Sequence, residues 1–399
     1  MNFDRLQTTK NVDVKGKRVL VRADLNVPLQ HGQVFDATRL ERLVPGFTDL
    51  TDRGAKVIVM SHFGRPQGQR NPEMSLSVVA EALSSLLQKP VAFGEDCIGA
   101  AAETAVNGMA DGELCVLENL RFHSGEEASD AEFAAQLATL GDIYVNDAFS
   151  AAHRAHASTA GVSKLLPKYA GPLMMEEIEA LRSALDNPTR PTAALVGGAK
   201  VSSKIPVLTN MVGKVDSLII GGGMANTFLL AKGIGVGASL AEPDFKDTAL
   251  EIMAKADAAG CRIVLPTDAV VAEKFAAGAA SNVVGVTAVP EDQMILDVGP
   301  KSVADMTALL SETRTLLWNG PLGAFEIDPF GVGTFALAKA AAEQTASGNL
   351  KSIAGGGDTV AALNAAGVTE QFSYVSTAGG AFLEWLEGRE LPGVVALTT

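Results

Sequence analysis

Residues 350–359 have the side chains and spacing of a phosphate-binding loop. An apolar run ends in three glycines at 355–357, and Asp358 and Thr359 follow at the start of a stretch that favours a helix. Glycine lets backbone N–H groups approach a ligand closely because it has no Cβ, and the N–H groups of a helix N-terminus bind phosphate. Asp358 adds a carboxylate of the kind that holds Mg²⁺ beside substrate phosphates. An ordinary capped glycine turn has the same local pattern. The other motifs in the chain are therefore needed to choose between a turn and a phosphate-binding loop.

Three further apolar runs in the second half of the chain end in glycine-rich loops. These loops lie at residues 197–198, 221–223 and 378–380. If the runs are parallel strands, all four loops meet at one edge of a sheet, where backbone amides can face a ligand. Glycine is also common in turns, and that alternative is credible for one loop but weak for four.

Polar side chains near these loops suit a nucleotide. Lys200 and Lys204 follow the 197–198 loop, and a helix beginning there would present both on one face. The loop is not a Walker A loop, because no glycine directly precedes either lysine. Asn319 and Glu326 follow another apolar run and could reach a ribose or purine. Each lysine alone is more readily explained as a surface charge.

The first half of the chain repeats a different pattern, in which apolar runs end in polar side chains. The runs at 18–22, 55–60, 114–117 and 143–145 are continuous, as in strands buried on both faces of a parallel sheet. Their ends carry Arg22, Asp24, Asn26, His62, Arg65, Asn119 and Arg121. Eleven of the fifteen arginines lie at or before Arg182. We therefore predict an anion site at this edge, the alternative being a solvated surface of mixed charge.

The segment 152–156 contains Arg154 between two of the five histidines, His153 and His156. The histidine spacing suits a metal on a helix, but no neighbouring acid or cysteine in the sequence completes a ligand set. Donors to the anion site, or satisfied structural groups, are the favoured explanations for these three residues.

Composition excludes several classes of function. The net charge of −14 argues against nucleic acid and anionic membrane surfaces as partners. No apolar run approaches the roughly 18 residues of a membrane span, and the first residues lack a signal pattern. Three scattered cysteines without metal spacing favour structural thiols in a reducing cytosol. We expect a cytoplasmic protein.

The alternation of strands with helix-like stretches, such as 76–87 and 130–140, predicts doubly wound α/β domains. Residues 174–186 have apolar side chains at helical spacing and precede Pro188 and Pro191, which suggests a helix bridging two domains. An anion site on one domain and a nucleotide site on the other suit phosphoryl transfer. A carboxylate acceptor needs no general base, which fits the lack of a His-Arg-Asp catalytic loop.

With these motifs in order, the chain resembles the phosphoglycerate kinase family from end to end. The matching segments are 22–28, 61–66, 118–122, 146–149, 152–156, 197–201 with Lys204, 318–326 and 355–359. The resemblance implies a monomer with two Rossmann-like domains. It implies an N-terminal 3-phosphoglycerate domain at 1–175, a hinge helix at 176–190, a nucleotide domain at 191–383, and a tail at 384–399 that docks on the first domain.

The resemblance also implies the reaction and the residue roles. Hinge closure would bring about reversible transfer between ATP and 3-phosphoglycerate, forming ADP and 1,3-bisphosphoglycerate, with Mg²⁺ on Asp358. The residues implied to hold phosphoglycerate are Arg22, Asp24, Asn26, Arg39, His62, Arg65, Arg121 and Arg154. Those implied to hold nucleotide are Gly198, Ala199, Lys204, Asn319, Glu326, Gly356, Gly357, Asp358 and Thr359. Arg39, Lys200, Lys204 and Gly357 would act on the transferring phosphoryl group.

Two other classes of protein compete with this interpretation. A nicotinamide-dependent dehydrogenase would also have glycine loops, but no Gly-x-Gly-x-x-Gly opens a helix with an acid about 20 residues on. A non-catalytic nucleotide sensor or scaffold would be expected to have lost charged residues such as Arg39, Lys204 or Asp358, and all three are present.

Overall fold

The computed structural model describes residues 3–399. The chain divides into two compact units: the first comprises Met1–Ile178 with Glu390–Thr399, and the second comprises Glu179–Arg389. Residues 384–389, which we predicted to be part of the returning tail, therefore group with the second unit. Within residues 3–399, every helix is too short or too polar to span a bilayer.

The first unit is built on a parallel sheet. Its strands are β1 (Arg18–Arg22), β2 (Leu29–Gln30), β3 (Gln33–Val34), β4 (Lys56–Met60), β5 (Val91–Gly94), β6 (Leu114–Leu117), β7 (Ile143–Asn146) and β8 (Lys168–Ala170). Its helices are α1 (Thr38–Asp52), α2 (Ser77–Leu87), α3 (Gly99–Asn107), α4 (Ser124–Glu127), α5 (Ala131–Ala138) and the start of α6 (Pro172–Leu185).

Six of these strands pair in the order β5-β6-β4-β1-β7-β8, all parallel. Strands β1, β4, β6 and β7 are short and almost wholly buried, whereas the edge strands β5 and β8 are partly buried. The hydrophobic core lies between the sheet and α1 and α2. The four predicted strands of this half are confirmed as β1, β4, β6 and β7. Because these four are neighbours in the sheet, the polar residues at their carboxyl ends share one edge.

The second unit contains a second parallel sheet. Its strands are β9 (Thr192–Val196), β10 (Ser217–Ile220), β11 (Arg262–Val264), β12 (Asp268–Ala272), β13 (Ser281–Gly285), β14 (Met294–Val298), β15 (Thr315–Asn319), β16 (Lys351–Gly355) and β17 (Tyr374–Ser376). Its helices are α7 (Ile205–Met211), α8 (Gly223–Ala231), α9 (Lys246–Ala259), α10 (Pro300–Glu312), α11 (Val332–Ala346), α12 (Gly357–Ala366) and α13 (Gly380–Leu386). The last helix of the chain, α14 (Pro392–Thr398), belongs to the first unit.

The second sheet has the order β11-β10-β9-β15-β16-β17, again all parallel. The prediction of two doubly wound parallel-sheet domains is therefore confirmed. A separate antiparallel sheet in the order β13-β12-β14 was not predicted. It is covered by a small hydrophobic cluster that includes Leu229, Val271 and Val286. Strands β13 and β14 are partly exposed and their apolar pattern is weak, so sequence periodicity did not distinguish them from loops. The central strand β12 is mostly buried.

Helix α6 runs along the chain from the first unit into the second. The predicted apolar stripe is buried: Met174, Ile178 and Leu181 are each 0% exposed. Asp147, directly after β7, caps the helix N-terminus by accepting a hydrogen bond from the Met174 N–H (3.0 Å). Burial raises the pKa of Asp147 to about 7, against the lowering effect of the backbone donors.

Replacing Asp147 with asparagine is expected to flatten the pH dependence of stability. An unperturbed aspartate has a pKa of 3.8, and burial raises that of Asp147 to about 7 in the folded protein. Between these two pH values the folded state therefore binds more protons than the unfolded state. This carboxyl therefore makes the free energy of unfolding fall as pH rises through that window, by at most about 1.4 kcal/mol per pH unit. Asparagine does not titrate, and its oxygen can still accept the N–H.

Urea unfolding at several pH values between these limits measures the effect. The control is Asp52→Asn, because the Asp52 side chain is 61% exposed and its removal should leave the pH profile unchanged. Parallel profiles for Asp147→Asn and the wild type would show that the buried carboxyl has no such role.

Candidate functional site

The carboxyl edge of the first sheet brings Arg22 and His62 into contact. Arg22 is 1% exposed. Its Nε donates to Ser158 Oγ (2.9 Å) and its Nη2 lies 3.1 Å from His62 Nδ1. A guanidinium can only donate, so His62 Nδ1 accepts. Burial and the Arg22 charge hold the pKa of His62 well below its usual value. The ring is therefore neutral at pH 7 with its proton on Nε2, and it offers an N–H donor.

Asp24 holds Arg39 at the same edge. Arg39 lies in the first turn of α1, and its Nη1 is 3.0 Å from Asp24 Oδ2 and donates to the Asn26 backbone oxygen (2.6 Å). Burial opposes ionisation of Asp24, but the Arg39 charge and a hydrogen bond from Ser150 hold its pKa below the usual value. About a third of the Arg39 side chain, 32%, stays exposed. Arg39 is thus fixed by an acid and still accessible to a ligand.

Further arginines converge on this region. Arg121 is 6% exposed, and its Nη1 donates to the Gly64 oxygen (2.8 Å). Burial lowers its pKa, the Glu127 carboxylate at 3.2 Å acts against this, and the charges of Arg154 and Arg22 lower the pKa further. Because guanidinium groups that repel one another are stabilised by an intervening anion, this edge is suited to a multiply charged anionic ligand. Arg65, which follows His62 closely in the sequence, is exposed.

The histidines beside Arg154 are engaged by protein groups. Arg154 Nε donates to His153 Nε2 (3.1 Å). His156 Nδ1 lies 3.7 Å from Glu126 Oε1. These contacts agree with the structural explanation of the two histidines. Sequence spacing did not reveal Glu126 as a neighbour of His156.

The glycine loops of the second sheet pack backbone against backbone. The Gly197 N–H donates to the Asn319 backbone oxygen (2.8 Å). A Cβ on Gly197 would lie 1.9 Å from the Pro321 oxygen. No other residue fits at such an approach, so this glycine is required by the contact between the loops after β9 and β15.

The loop after β16 also contacts the end of β15, through Asn319. Gly356 has φ +99°, and a Cβ there would lie 2.6 Å from Asn319 Nδ2. Asn319 Nδ2 donates to the Gly355 oxygen (2.7 Å), and Asn319 Oδ1 accepts from Lys204 Nζ (2.6 Å). Asn319 is 3% exposed. It therefore links the lysine to the glycine loop.

Helix α12 begins at Gly357, directly behind this loop. The Thr359 side chain is buried, and its hydroxyl accepts from the Gly320 N–H (2.7 Å). A ligand would therefore meet Thr359 through its backbone N–H group. Asp358 is exposed in the first turn, and a Cβ on Gly357 would meet nothing within 4 Å. Open space beside an accessible carboxylate and free helix N–H groups fits a phosphate with Mg²⁺.

A pocket of about 410 Å³ lies beside these loops. Its lining includes Gly198, Ala199, Gly222, Leu240, Leu296, Leu322, Glu326 and Asp358. The volume and the mostly apolar walls suit a purine nucleoside, with polar groups at the rim. The prediction from sequence named the polar groups and missed the leucines, because Leu240 and Leu322 are isolated in loops and Leu296 lies in β14, a strand that was not predicted.

One expectation about the lysines was wrong. Residues 200–204 form a bend and turn, and α7 begins at Ile205 with Pro206 in its first turn. Proline has no N–H and is favoured at this position, so the helix starts after both lysines and they do not share a helix face. Lys200 is exposed, whereas Lys204 is half-buried. Burial lowers the pKa of Lys204, while the Asp358 and Glu387 charges act against this.

A family model described as phosphoglycerate kinase matches residues 9–389. The chain belongs to the phosphoglycerate kinase family. Curated relatives with this name include a protein of Bradyrhizobium diazoefficiens, 61% identical over 394 residues and 99% of both chains. Another, from Agrobacterium fabrum, is 60% identical over 387 residues and 97% of both chains.

Solved structures agree with this membership. The phosphoglycerate kinase of Coxiella burnetii has a TM-score of 0.92 at 43% identity, covering 98% of this chain and 99% of that one. The enzyme of Pyrococcus horikoshii has a TM-score of 0.80 at 30% identity and 98% coverage of both chains. The resemblance inferred from sequence and the assignment to the phosphotransferases are confirmed.

Asp96, Cys97 and His123 form a group that could offer ligands to a metal. Asp96 Oδ1 already accepts from the Cys97 N–H (2.7 Å) and lies 2.6 Å from His123 Nε2. Burial and the Asp96 charge hold the pKa of the Cys97 thiol well above its usual value. Because hydrogen bonds already join Asp96 to Cys97 and to His123, we interpret this group as a structural cluster. Cys97, Cys115 and Cys261 are all buried and free.

Proposed function

We propose that this protein catalyses reversible phosphoryl transfer between ATP and the carboxylate of 3-phosphoglycerate, forming ADP and 1,3-bisphosphoglycerate. The proposal rests on the different residue types at the carboxyl edges of the two sheets. One edge gathers Arg22, Arg39 and Arg121 beside a neutral His62, and the other combines glycine loops with an apolar pocket and Asp358. Membership of the phosphoglycerate kinase family supports both assignments.

In this proposal the first unit binds phosphoglycerate. Arg65, Arg121 and Arg154 neutralise its phosphate and carboxylate, because guanidinium forks match both groups. Arg22 is buried and bonded to protein groups, and it adds positive charge nearby. Asp24 and Asn26 hold Arg39 and contact the ligand, and neutral His62 donates from Nε2. Arg39 stabilises the carboxylate oxygen and the transferring phosphoryl group, since charge builds up there during transfer.

The second unit binds the nucleotide. The pocket with Gly198, Ala199 and Glu326 takes the nucleoside. The amides of Gly356, Gly357 and Thr359 take the phosphates, and Asn319 orients Lys204 toward them. Lys200, exposed on its turn, contacts the phosphoryl group in transit. Asp358 would hold Mg²⁺, which neutralises phosphate charge when bound with the nucleotide.

The chemistry needs charge neutralisation and alignment rather than a general base, because the acceptor carboxylate is already an anion. Closure of the two units about the hinge helix is part of the proposal, since transfer requires in-line oxygens and exclusion of water. The monomeric state and the cytoplasmic location stay predictions.

Trapping with hydroxylamine tests the reaction, since hydroxylamine converts an acyl phosphate to a hydroxamate. The assay contains the protein, Mg²⁺-ATP and 3-phosphoglycerate, and ADP release is measured alongside hydroxamate. We expect ADP release that depends on 3-phosphoglycerate and an equal yield of hydroxamate. ADP release without hydroxamate would mean that water or a hydroxyl group accepts the phosphoryl group. Tight ATP binding without any turnover would support the scaffold alternative.

Gly197→Ala is expected to weaken ATP binding by about tenfold or more and to lower stability by about 1–3 kcal/mol. Its Cβ would lie 1.9 Å from the Pro321 oxygen, so the loops after β9 and β15 must separate. Calorimetric titration with Mg²⁺-ATP and thermal unfolding measure the two effects. Gly213→Ala is the control, because its Cβ would come no closer than 3.9 Å to the Asn210 oxygen. Equal ATP affinity in both variants would contradict the role of this contact.

A further inference from the structure

A buried hydrogen-bond network connects Arg22 to a carboxylate that the proposed function does not use. Glu126 accepts from the Ser158 N–H at Oε2 (2.9 Å) and from the Ser158 hydroxyl at Oε1 (2.6 Å). The Ser158 hydroxyl oxygen in turn accepts from Arg22 Nε (2.9 Å). Glu126 and Ser158 are both 0% exposed. We call these three residues the Glu126 network.

The backbone holds Ser158 in an unusual conformation. Ser158 lies in a π-helical turn, Ala157–Gly161, and such turns are rare and concentrate at functional sites. The hydroxyl of the fully buried Tyr144 donates to the Ser158 backbone oxygen (2.7 Å). The serine is therefore fixed through its main chain and its side chain together.

Charge balance explains why a carboxylate is present. Burying a guanidinium is costly unless an opposite charge lies nearby. Burial opposes ionisation of Glu126, but His156, the Arg22 charge and the Ser158 donors hold its pKa below the usual value. Glu126 is therefore an anion at pH 7 and compensates the positive charge of Arg22.

Hydrogen bonds connect Glu126 to His62 through Ser158 and Arg22. With Nε bound to Ser158, the plane of the Arg22 guanidinium is set, and Nη1 donates to the Ala23 oxygen. The remaining nitrogen, Nη2, lies 3.1 Å from His62 Nδ1. Loss of the Ser158 acceptor would leave the guanidinium held by Ala23 and His62 alone, so its plane could tilt and weaken the donor that keeps the His62 proton on Nε2.

We propose that Glu126 is a positioning residue of the phosphoglycerate subsite: through Ser158 it fixes Arg22, and through Arg22 it fixes the tautomer of His62. This inference deepens the proposed function and rests on it. Glu126 itself does not contact the ligand, so its removal acts on phosphoglycerate binding and leaves the nucleotide site intact.

The test compares wild type, Glu126→Gln and Ser158→Ala. Ser158→Ala is the smaller change, and it removes the link to Arg22 while the Glu126 charge remains. We expect the KM for 3-phosphoglycerate to rise about tenfold or more in both variants, as for loss of a charge-assisted hydrogen bond. The KM for Mg²⁺-ATP should stay within about twofold. Nitrogen-15 NMR of the five histidines should show that His62 changes from a single Nε2–H tautomer to a mixture.

The matched control is Asp268→Asn in the second unit. Asp268 is also a buried acid that accepts from a serine N–H and hydroxyl, those of Ser302 (2.7 and 2.6 Å). Its replacement should lower stability without changing the KM for 3-phosphoglycerate. A Glu126→Gln or Ser158→Ala protein with lower stability but unchanged KM and an unchanged His62 tautomer would overturn the proposal, as would equal losses for both substrates. Wild-type protein that does not bind 3-phosphoglycerate would instead refute the proposed function.

Discussion

Replacing Arg39 with alanine should lower turnover by roughly 10²–10³-fold, the usual cost of losing one transition-state donor, while ATP still binds. Arg39 is the arginine that we assign to the transferring phosphoryl group. Its side chain is 32% exposed and makes an ion pair with Asp24 at 3.0 Å, so little packing is lost with it. Stopped assays give the turnover, and calorimetric titration with Mg²⁺-ATP gives the nucleotide affinity.

The matched control for Arg39 is Arg18, at the amino end of strand β1. Arg18 begins β1, its side chain is 33% exposed, and it pairs with Asp142 at 2.8 Å. Arg18→Ala removes the same charge and a similar ion pair at the amino edge of the sheet, so turnover should be unchanged. An equal loss of turnover in the two variants, or a parallel loss of ATP affinity in Arg39→Ala, would contradict the separation of the two subsites.

Asp358→Asn is expected to lower kcat/KM for Mg²⁺-ATP by about 10²-fold and to raise the Mg²⁺ concentration needed for half-maximal activity. Asp358 is exposed in the first turn of α12, so the isosteric change removes a charge without disturbing the core. Asparagine is a weaker ligand for Mg²⁺ than a carboxylate. Initial rates across a Mg²⁺ titration at fixed ATP measure both effects, and 3-phosphoglycerate affinity should not change.

Asp247→Asn is the control for Asp358. Asp247 is likewise an exposed acid in the first turn of a helix of the second unit, α9. Both changes remove a favourable charge from a helix N-terminus, but of the two only Asp358 lines the pocket that we assign to the nucleotide. If the two variants have the same Mg²⁺ dependence, the assignment of the metal to Asp358 fails.

The strands and the polar residues at their ends were predictable because their determinants are local. A continuous β-branched run such as residues 18–22 can hardly be anything but a buried strand, and β1 covers these residues. Parallel pairing then brings every strand end to one edge, so the juxtaposition of Arg22 and His62 followed from topology alone. Helix α6 was equally predictable, since its apolar period and the prolines after it are adjacent in sequence.

Features that depend on distant partners were not predictable in the same way. Glu126 reads as one more acid in an acidic helix start, and its partner Ser158 is 32 residues away. Asp297 is similar: it accepts from the Gly333 N–H (2.7 Å), and burial raises its pKa to about 7. The sequence does not show which distant group either acid will meet.

The sequence by itself therefore determined the two parallel sheets, the edge of each sheet at which the loops meet, and the residue types offered there. Backbone hydrogen bonding and the period of apolar residues depend on residues that are close in sequence, so both can be predicted from short segments. Only the tertiary structure decided how the side chains are held: the Asp24 pair that fixes Arg39, the Glu126 network beneath Arg22, and Asn319 between Lys204 and the glycine loop. These depend on burial and on contacts between residues far apart in the chain, which set charge states and directions that no local pattern records.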